Sequence, residues 1–209
     1  MTSAAEATVP GLDVSRETLA ALLQFEQLVR RWNPAINLVS KSTLSEIWPR
    51  HILDSTQIFS LCPPKAVTWA DFGSGGGFPG IVVAILAAQL KPDLRVTLVE
   101  SDLRKATFLR QAAQTLALPV AVHSARIESL GLLQADVVSA RALAPLPELL
   151  AHAHRHLAEG GIAIFPKGAR YTEELAEAQK SWAFDVDVQR SQSDPDAAIL
   201  VIRNIHHHD

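Results

Sequence analysis

From Ser15 onward the apolar residues Leu19, Leu22, Leu23, Phe25, Leu28, Val29 and Trp32 recur at intervals of three and four, the spacing of one buried helix face. Ser15 suits the N-cap of this helix, and Asn33-Pro34 marks its predicted end. A second helix is expected to start near Thr43, with Glu46 three residues on completing a capping box. It would run through Ile47, Ile52, Leu53 and Ile58 toward Pro63-Pro64. The residues before Ser15, rich in Ala and Thr and closing on Pro10-Gly11, have the composition of a mobile tail. After Pro64 the period changes. Short β-branched runs alternate with helical stretches: Ala66–Phe72, then Gly80–Leu90; Arg95–Val99, then Leu103–Leu116; Val120–Val122; Asp136–Ser139, then Glu148–Leu157; Ile162–Phe165, then Thr172–Trp182. Such alternation predicts a largely parallel sheet covered on both faces. The last two runs, Phe184–Val188 and Ala198–Ile202, are joined only by the polar turn Ser191–Asp196. A parallel crossover needs roughly a dozen residues or more, so these two strands should pair antiparallel.

The expected organisation is an N-terminal tail and helical layer over residues 1–63, then a sheet domain over residues 64–205. Seven mostly parallel strands with an antiparallel closing strand resemble the Rossmann-like α/β fold of class I S-adenosylmethionine methyltransferases. Composition adds exclusions. No apolar stretch is long enough to span a membrane, and Met1–Glu6 lacks the basic start and apolar core of a secretory signal. The single Cys62 excludes an intramolecular disulfide framework and a cysteine-based zinc cluster. A cytoplasmic protein is the default that remains. The net charge of −3 gives no global pull toward nucleic acid, although phosphate contacts need only a local basic face. The terminal His206-His207-His208 is compatible with an expression tag and is assigned no role.

The first strand should feed the first sheet-covering helix through Asp71-Phe72-Gly73-Ser74-Gly75-Gly76-Gly77-Phe78-Pro79-Gly80. Glycines there let the backbone turn sharply and approach a ligand closely, and the end of a strand is where nucleotide-type ligands bind in open α/β sheets. A Gly-rich turn without a ligand would weaken the fold for no gain in packing. Gly75 to Gly80 matches the dinucleotide pattern G-x-G-x-x-G, a weak signal alone. Asp71 favours S-adenosylmethionine: it stands where methyltransferases keep an acidic residue near the cofactor's methionine end, and a carboxylate there would repel a pyrophosphate. Glu100, closing the second strand, is placed to accept hydrogen bonds from ribose hydroxyls in either cofactor class, with Asp102 as the runner-up. In this fold the turn His123–Glu128 passes the adenine, so Ile127 would cover the ring while Glu128 meets its edge.

Read together, Trp32-Asn33-Pro34-Ala35-Ile36-Asn37-Leu38, Arg50-His51-Ile52-Leu53-Asp54-Ser55, the Asp71–Gly80 loop, Ser139-Ala140-Arg141-Ala142 and Lys167-Gly168 resemble the RsmG (GidB) family. Its members are bacterial methyltransferases that act on a guanine N7 of small-subunit ribosomal RNA. The resemblance runs from the first helix to the last strand. It implies S-adenosylmethionine as cofactor, with contacts at Gly73, Phe78, Ile127, Glu128 and Arg141 beside those expected at Asp71, Gly75 and Glu100. It also implies 16S ribosomal RNA as partner, within the assembled or assembling small subunit. Arg141 follows the fourth strand and should point into the cleft, though a strand-end arginine is ordinarily a surface residue. Asn37, His51 and Asp54 come from the N-terminal helices. Asn37 is either a catalytic contact or a helix cap; His51 either meets RNA or forms an i, i+3 pair with Asp54.

Guanine N7 carries an in-plane lone pair and needs no deprotonation, so alignment with the methyl donor is the main requirement. Accordingly no Ser-His-Asp or Cys-His constellation and no metal site is expected. His152, His154 and His156 alternate along a predicted helix, a spacing read as sending them to different faces. Arg141 or Asn37 would orient the guanine, and Arg30, Arg31, Lys41, Arg50, Lys167 and Arg170 would meet phosphates. Competing readings are a protein or small-molecule methyltransferase, an NAD-dependent dehydrogenase, and a non-catalytic nucleotide-sensing or ribosome-bound module.

Overall fold

The helix Gly80–Leu90 is apolar around its whole circumference, with Gly80 to Ala87 all buried, and such a helix needs cover on both sides. In the computed structural model, which describes residues 8–208, the sheet covers one side and the N-terminal helices cover the other. Five parallel strands, β1 (Thr68–Phe72), β2 (Arg95–Val99), β3 (Val120–His123), β4 (Ala135–Ala140) and β5 (Leu157–Lys167), form one body with β6 (Trp182–Arg190) and β7 (Ala198–His207). Their order is β3-β2-β1-β4-β5-β7-β6, with β7 antiparallel to both neighbours. The strand order reverses between β1 and β4, and the loops leaving these two strands diverge into a crevice there.

The helices α1 (Arg16–Ile36), α2 (Asp54–Ser60), α3 (Gly80–Leu90) and α4 (Leu103–Thr115) share one core with one face of the sheet. On the other face, α5 (Leu146–His156) and α6 (Tyr171–Ala178) pack around Phe72, Val138 and Phe165. Phe25 of α1 joins the layers. It is fully buried, its ring centroid is 5.1 Å from that of Phe78 in the glycine loop, and 6.5 Å from that of Phe108 in α4.

Several local expectations change. Ser15 caps α1, its Oγ accepting the Thr18 N–H at 3.1 Å, but the helix passes Asn33-Pro34 and ends at Ile36. Pro34 is tolerated in the last turn, where its missing N–H affects a single carbonyl. No capping box forms at Thr43. The chain makes a 3-10 turn, Leu44–Glu46, and a π-helical segment, Trp48–Leu53, before α2 begins. Pro49 has no N–H to continue an α-helical ladder, while Trp48 and Ile52 are held in the core. Of the expected tail, residues 1–7 lie outside the described residues, but Val9 is buried, and Leu12 and Val14 pack on the core. Trp182 begins β6 rather than ending a helix. His206 and His207 are strand residues, paired with Ala183 and Trp182. No described helix is long and apolar enough to cross a membrane.

Because α1 and the sheet share one core, Phe25→Ala should cost about 3–5 kcal/mol. Urea unfolding followed by tryptophan fluorescence and by far-UV dichroism should give one coincident transition. Separate melting of α1 would appear as two.

Candidate active site

The glycine loop leaves β1 beneath the N-terminal layer and is tied down from below. Asp71 is fully buried; its Oδ1 accepts the Ser139 hydroxyl at 2.7 Å, and its Oδ2 accepts the Gly80 N–H at 3.2 Å. Ser139 in turn accepts the Trp69 indole N–H at 2.8 Å. The carboxylate expected at the cofactor's methionine end is thus enclosed under the loop, joining β1, β4 and α3. Burial pushes Asp71 up to about 6, opposed by hydrogen bonds from Ser139 and the Gly80 backbone and by the charge of Arg141.

Above this anchor the loop makes room for a ligand. Gly75 has a φ of 52°, and only the Gly73 carbonyl oxygen, at 3.6 Å, would meet a side chain built there. Gly77, with φ 85°, has the opposite constraint, because a Cβ would lie 2.9 Å from the Phe25 ring. Glu100 stands at the end of β2. Its Oε2 accepts the Gly75 N–H and its Oε1 the Asp102 N–H, each at 2.8 Å. A carboxylate offers about four acceptor positions, so capacity for two ribose hydroxyls remains. Asp102, the runner-up, is engaged as N-cap of α4, accepting the Arg104 and Lys105 N–H groups at 2.8 and 3.2 Å. Ile127 is buried with Phe72 and Val99 at the next strand's exit, and the exposed Glu128 follows it. These groups fit an adenosine carrying a phosphate-free tail.

The three histidines of α5 do not all diverge. His152 and His156, four residues apart, both pack against Phe72, whereas His154 points to the Ile205 carbonyl and Trp182. An i, i+4 spacing shares a helix face, which alternation by twos obscured. No metal-binding group of histidine, cysteine or acidic side chains occurs among the described residues.

Arg141 leaves the end of β4 and meets the N-terminal layer. It donates to His51 Nδ1 at 2.7 Å, and its guanidinium carbon lies 5.4 Å from the centroid of the Phe78 ring. His51 stacks on the same ring at 5.1 Å. A guanidinium can only donate, so Nδ1 of His51 must be the acceptor, and the proton sits on Nε2. That nitrogen then donates to Thr43 Oγ1 at 2.9 Å. Desolvation, followed by the charges of Arg141 and Arg50, drives His51 down to about 3 and keeps the ring neutral. His51 and Asp54 are therefore not an i, i+3 pair: His51 serves Arg141, and Asp54 bonds Ser193 in the β6–β7 turn. Sequence reasoning placed Thr43 in a capping box, Ser139 in the block before Arg141 and Ser193 in a polar turn, but gave none of them a role in the site, because their partners His51, Asp71 and Asp54 are set by the fold.

Arg141 lines a cleft of about 820 Å³ with Arg50, His51, Asp54 and the loops after β4 and β5. Leu143 covers Gly73 closely; a Cβ built on that glycine would lie 2.6 Å from Leu143 Cδ1. Lys167 does not offer its ammonium to an RNA phosphate. It donates to the Ala144 carbonyl at 2.9 Å and to Glu174 at 2.7 Å, and only 8% of its side chain is exposed. Arg30 is likewise engaged, by Glu26 and the Leu44 carbonyl. Arg50 is half-exposed near Asp194, and Arg31, Lys41 and Arg170 are exposed. Asn37 caps α1 in a left-handed conformation, φ 52°, with an exposed side chain; the following Leu38 packs on Gly76.

Residues 18–197 match the family model described as rRNA small subunit methyltransferase G (GidB). The chain belongs to this family. It is 53% identical over 194 residues to the ribosomal RNA small subunit methyltransferase G of Ruegeria sp. (strain TM1040), covering 93% of this chain and 94% of the relative. The Cereibacter sphaeroides (strain ATCC 17025) protein of the same name is 54% identical over 196 residues, 94% of each chain. Among solved structures, a TehB-like SAM-dependent methyltransferase from Corynebacterium glutamicum superposes with a TM-score of 0.57 at 17% identity, covering 87% of this chain and 98% of that one. A mitomycin 7-O-methyltransferase gives 0.59 at 16%, covering 90% and 70%. These two share the fold. Family and fold together make the chain an S-adenosylmethionine-dependent methyltransferase.

Glu100→Ala should weaken binding of S-adenosylmethionine by about 1.5–3 kcal/mol, the worth of a hydrogen bond to a charged group. Titration calorimetry checks this, and an unchanged affinity would remove Glu100 from the ribose site.

A second expectation concerns pH. His51 protonates near 6.5 when unfolded and near 3 in the fold, so between these values the unfolded chain holds the extra proton. Stability is therefore lost as pH falls from 6.5 toward 3. Asp71, raised from 3.8 to about 6, acts with the opposite sign between those two values. Relative to wild type, His51→Gln should lose less stability on acidification in urea titrations; identical pH slopes would show that His51 is not held neutral.

Proposed function

We propose that this enzyme transfers the methyl group of S-adenosylmethionine to N7 of one guanine in 16S ribosomal RNA, presented by the assembled or assembling small subunit in the cytoplasm. The observation that carries the proposal is the Arg141–His51–Thr43 chain over Phe78. The imidazole beside the cleft has both nitrogens engaged and stays neutral, so it cannot take a proton from a substrate. A site so arranged suits an acceptor that needs no deprotonation, which guanine N7 is and a hydroxyl or amide is not.

When bound, the cofactor supplies an activated methyl on a sulfonium sulfur. The protein's task is then alignment, for which well-oriented reactants can contribute about 7–11 kcal/mol. In this reading Gly73, Gly75 and Phe78 form the cradle, Glu100 holds the ribose, and Ile127 with Glu128 takes the adenine. Asp71 shapes the loop from beneath without touching the ligand. Arg141, held by His51 and Phe78, keeps its remaining N–H groups for the guanine. Lys167 positions the loop after β4 through Ala144 and Glu174. Asn37 and Arg50, both exposed on the N-terminal layer, meet the RNA along with Arg31, Lys41 and Arg170.

With a net charge of −3 the protein lacks the long-range pull that would hold free RNA tightly, so recognition of a fixed RNA shape is favoured. Equal amounts of assembled subunits and protein-free ribosomal RNA, mapped by borohydride–aniline cleavage, should show N7-methylguanosine at one site and more of it in the subunits. Arg141→Ala should lower the transfer rate strongly, and by more than the loss of its His51 and Phe78 contacts, about 1–3 kcal/mol, lowers folding stability. Methylation of neither substrate, or of an adenine or cytosine, would overturn the assignment.

A further inference from the structure

Asp54 follows His51 by one helical turn, and both line the cleft that Arg141 enters. Only one of its carboxylate oxygens is committed. Oδ1 accepts the Ser193 hydroxyl and, at 3.5 Å, the Gln57 amide. Among the described residues no hydrogen bond reaches Oδ2, yet that atom is not sealed in the interior. The other carboxylates of the cleft wall differ. Glu174 is taken by Lys167 and the Leu146 N–H, Glu177 by Lys180, and Asp194 lies 3.8 Å from Arg50. Glu173 stands exposed at the start of α6. Asp54 alone combines partial burial, a fixed orientation and a place beside Arg141.

Guanine presents an acceptor at O6 and donors at N1 and N2 on one edge, while N7 lies around the corner from O6. We infer that Asp54 is the residue that selects guanine: it accepts hydrogen bonds from N1–H and the N2 amine while Arg141 donates to O6, leaving N7 open toward the methyl donor. The inference rests on the guanine-N7 reading above and deepens it. Adenine reverses both contacts, with a bare N1 lone pair facing the carboxylate and an N6 amine facing the guanidinium. A polar site left unpaired in this way rejects the wrong base more strongly than an apolar pocket does. The Ser193 and Gln57 contacts orient the carboxylate for that task. Burial shifts the Asp54 carboxyl upward, countered by the Ser193 hydrogen bond and by Arg141 and Arg50.

Inosine tests this, because it keeps N7, O6 and N1–H and lacks only the N2 amine. Small subunits are assembled from RNA carrying guanosine or inosine at the methylated position and treated with the wild-type enzyme. The inosine substrate should lose about 10- to 100-fold in kcat/KM, the value of one charge-assisted hydrogen bond. Asp54→Asn should lower turnover of guanosine and shrink the inosine penalty to about threefold or less. Ser193→Ala breaks the same contact between the turn and α2 but leaves the carboxylate and its Gln57 contact, so it should keep a larger inosine penalty than Asp54→Asn. S-adenosylhomocysteine affinity, measured for each variant, reports on the fold. Wild-type turnover of inosine within about twofold of guanosine overturns the inference without need of any variant. A full penalty in Asp54→Asn also overturns it and transfers the N2 contact to Glu173. Should wild type fail to methylate guanosine at N7, the guanine reading itself falls and takes this inference with it.

Discussion

A carboxylate shut away from water holds the catalytic end of this molecule together. Asp71 receives the Ser139 hydroxyl from β4 and the Gly80 N–H from the start of α3, so one side chain fixes two strands and a helix where the strand order reverses. An unpaired buried carboxylate would be costly, and these partners are what make the position tolerable. The glycine loop is thereby anchored to the sheet from beneath. Its upper side is open at Gly75, where Glu100 reaches across to accept the backbone N–H.

The second dependency runs through α3. A helix apolar on all sides cannot be half-covered, so the N-terminal helices are a physical requirement of the sheet domain as well as an addition to it. Their docking also brings His51 to Arg141 and Asp54 to the β6–β7 turn. The same docking has a second consequence: the cover over α3 also forms one wall of the cleft that Arg141 lines. The π-helical segment at Trp48–Leu53, with Pro49 in its first turn and Trp48 buried, precedes α2 and carries His51 at the cleft.

The polar groups around the cleft orient one another. Arg141 is held by an imidazole that stays neutral near pH 7, and Lys167 is held between the loop after β4 and α6. A reaction governed by alignment requires this kind of preorganisation more than it requires an acid or a base.

Local pattern alone determined a great deal about this protein. The three-and-four spacing after Ser15, the cap at Ser15 and the alternation of strands and helices were all legible, since each depends on residues within a turn or two of one another. So were the glycine-rich turn after β1 and the position of Glu100 at the end of β2, because strand ends and turns have a local signature. Tertiary structure alone decided the placement of β7 between β5 and β6, the enclosure of Asp71 and the capture of Lys167 by Glu174. It also decided the roles of His51 and Asp54, whose partners lie 90 and 139 residues away. Which distant groups meet is set by how the sheet orders its strands and by which faces must be covered, and no periodicity within a short window records either.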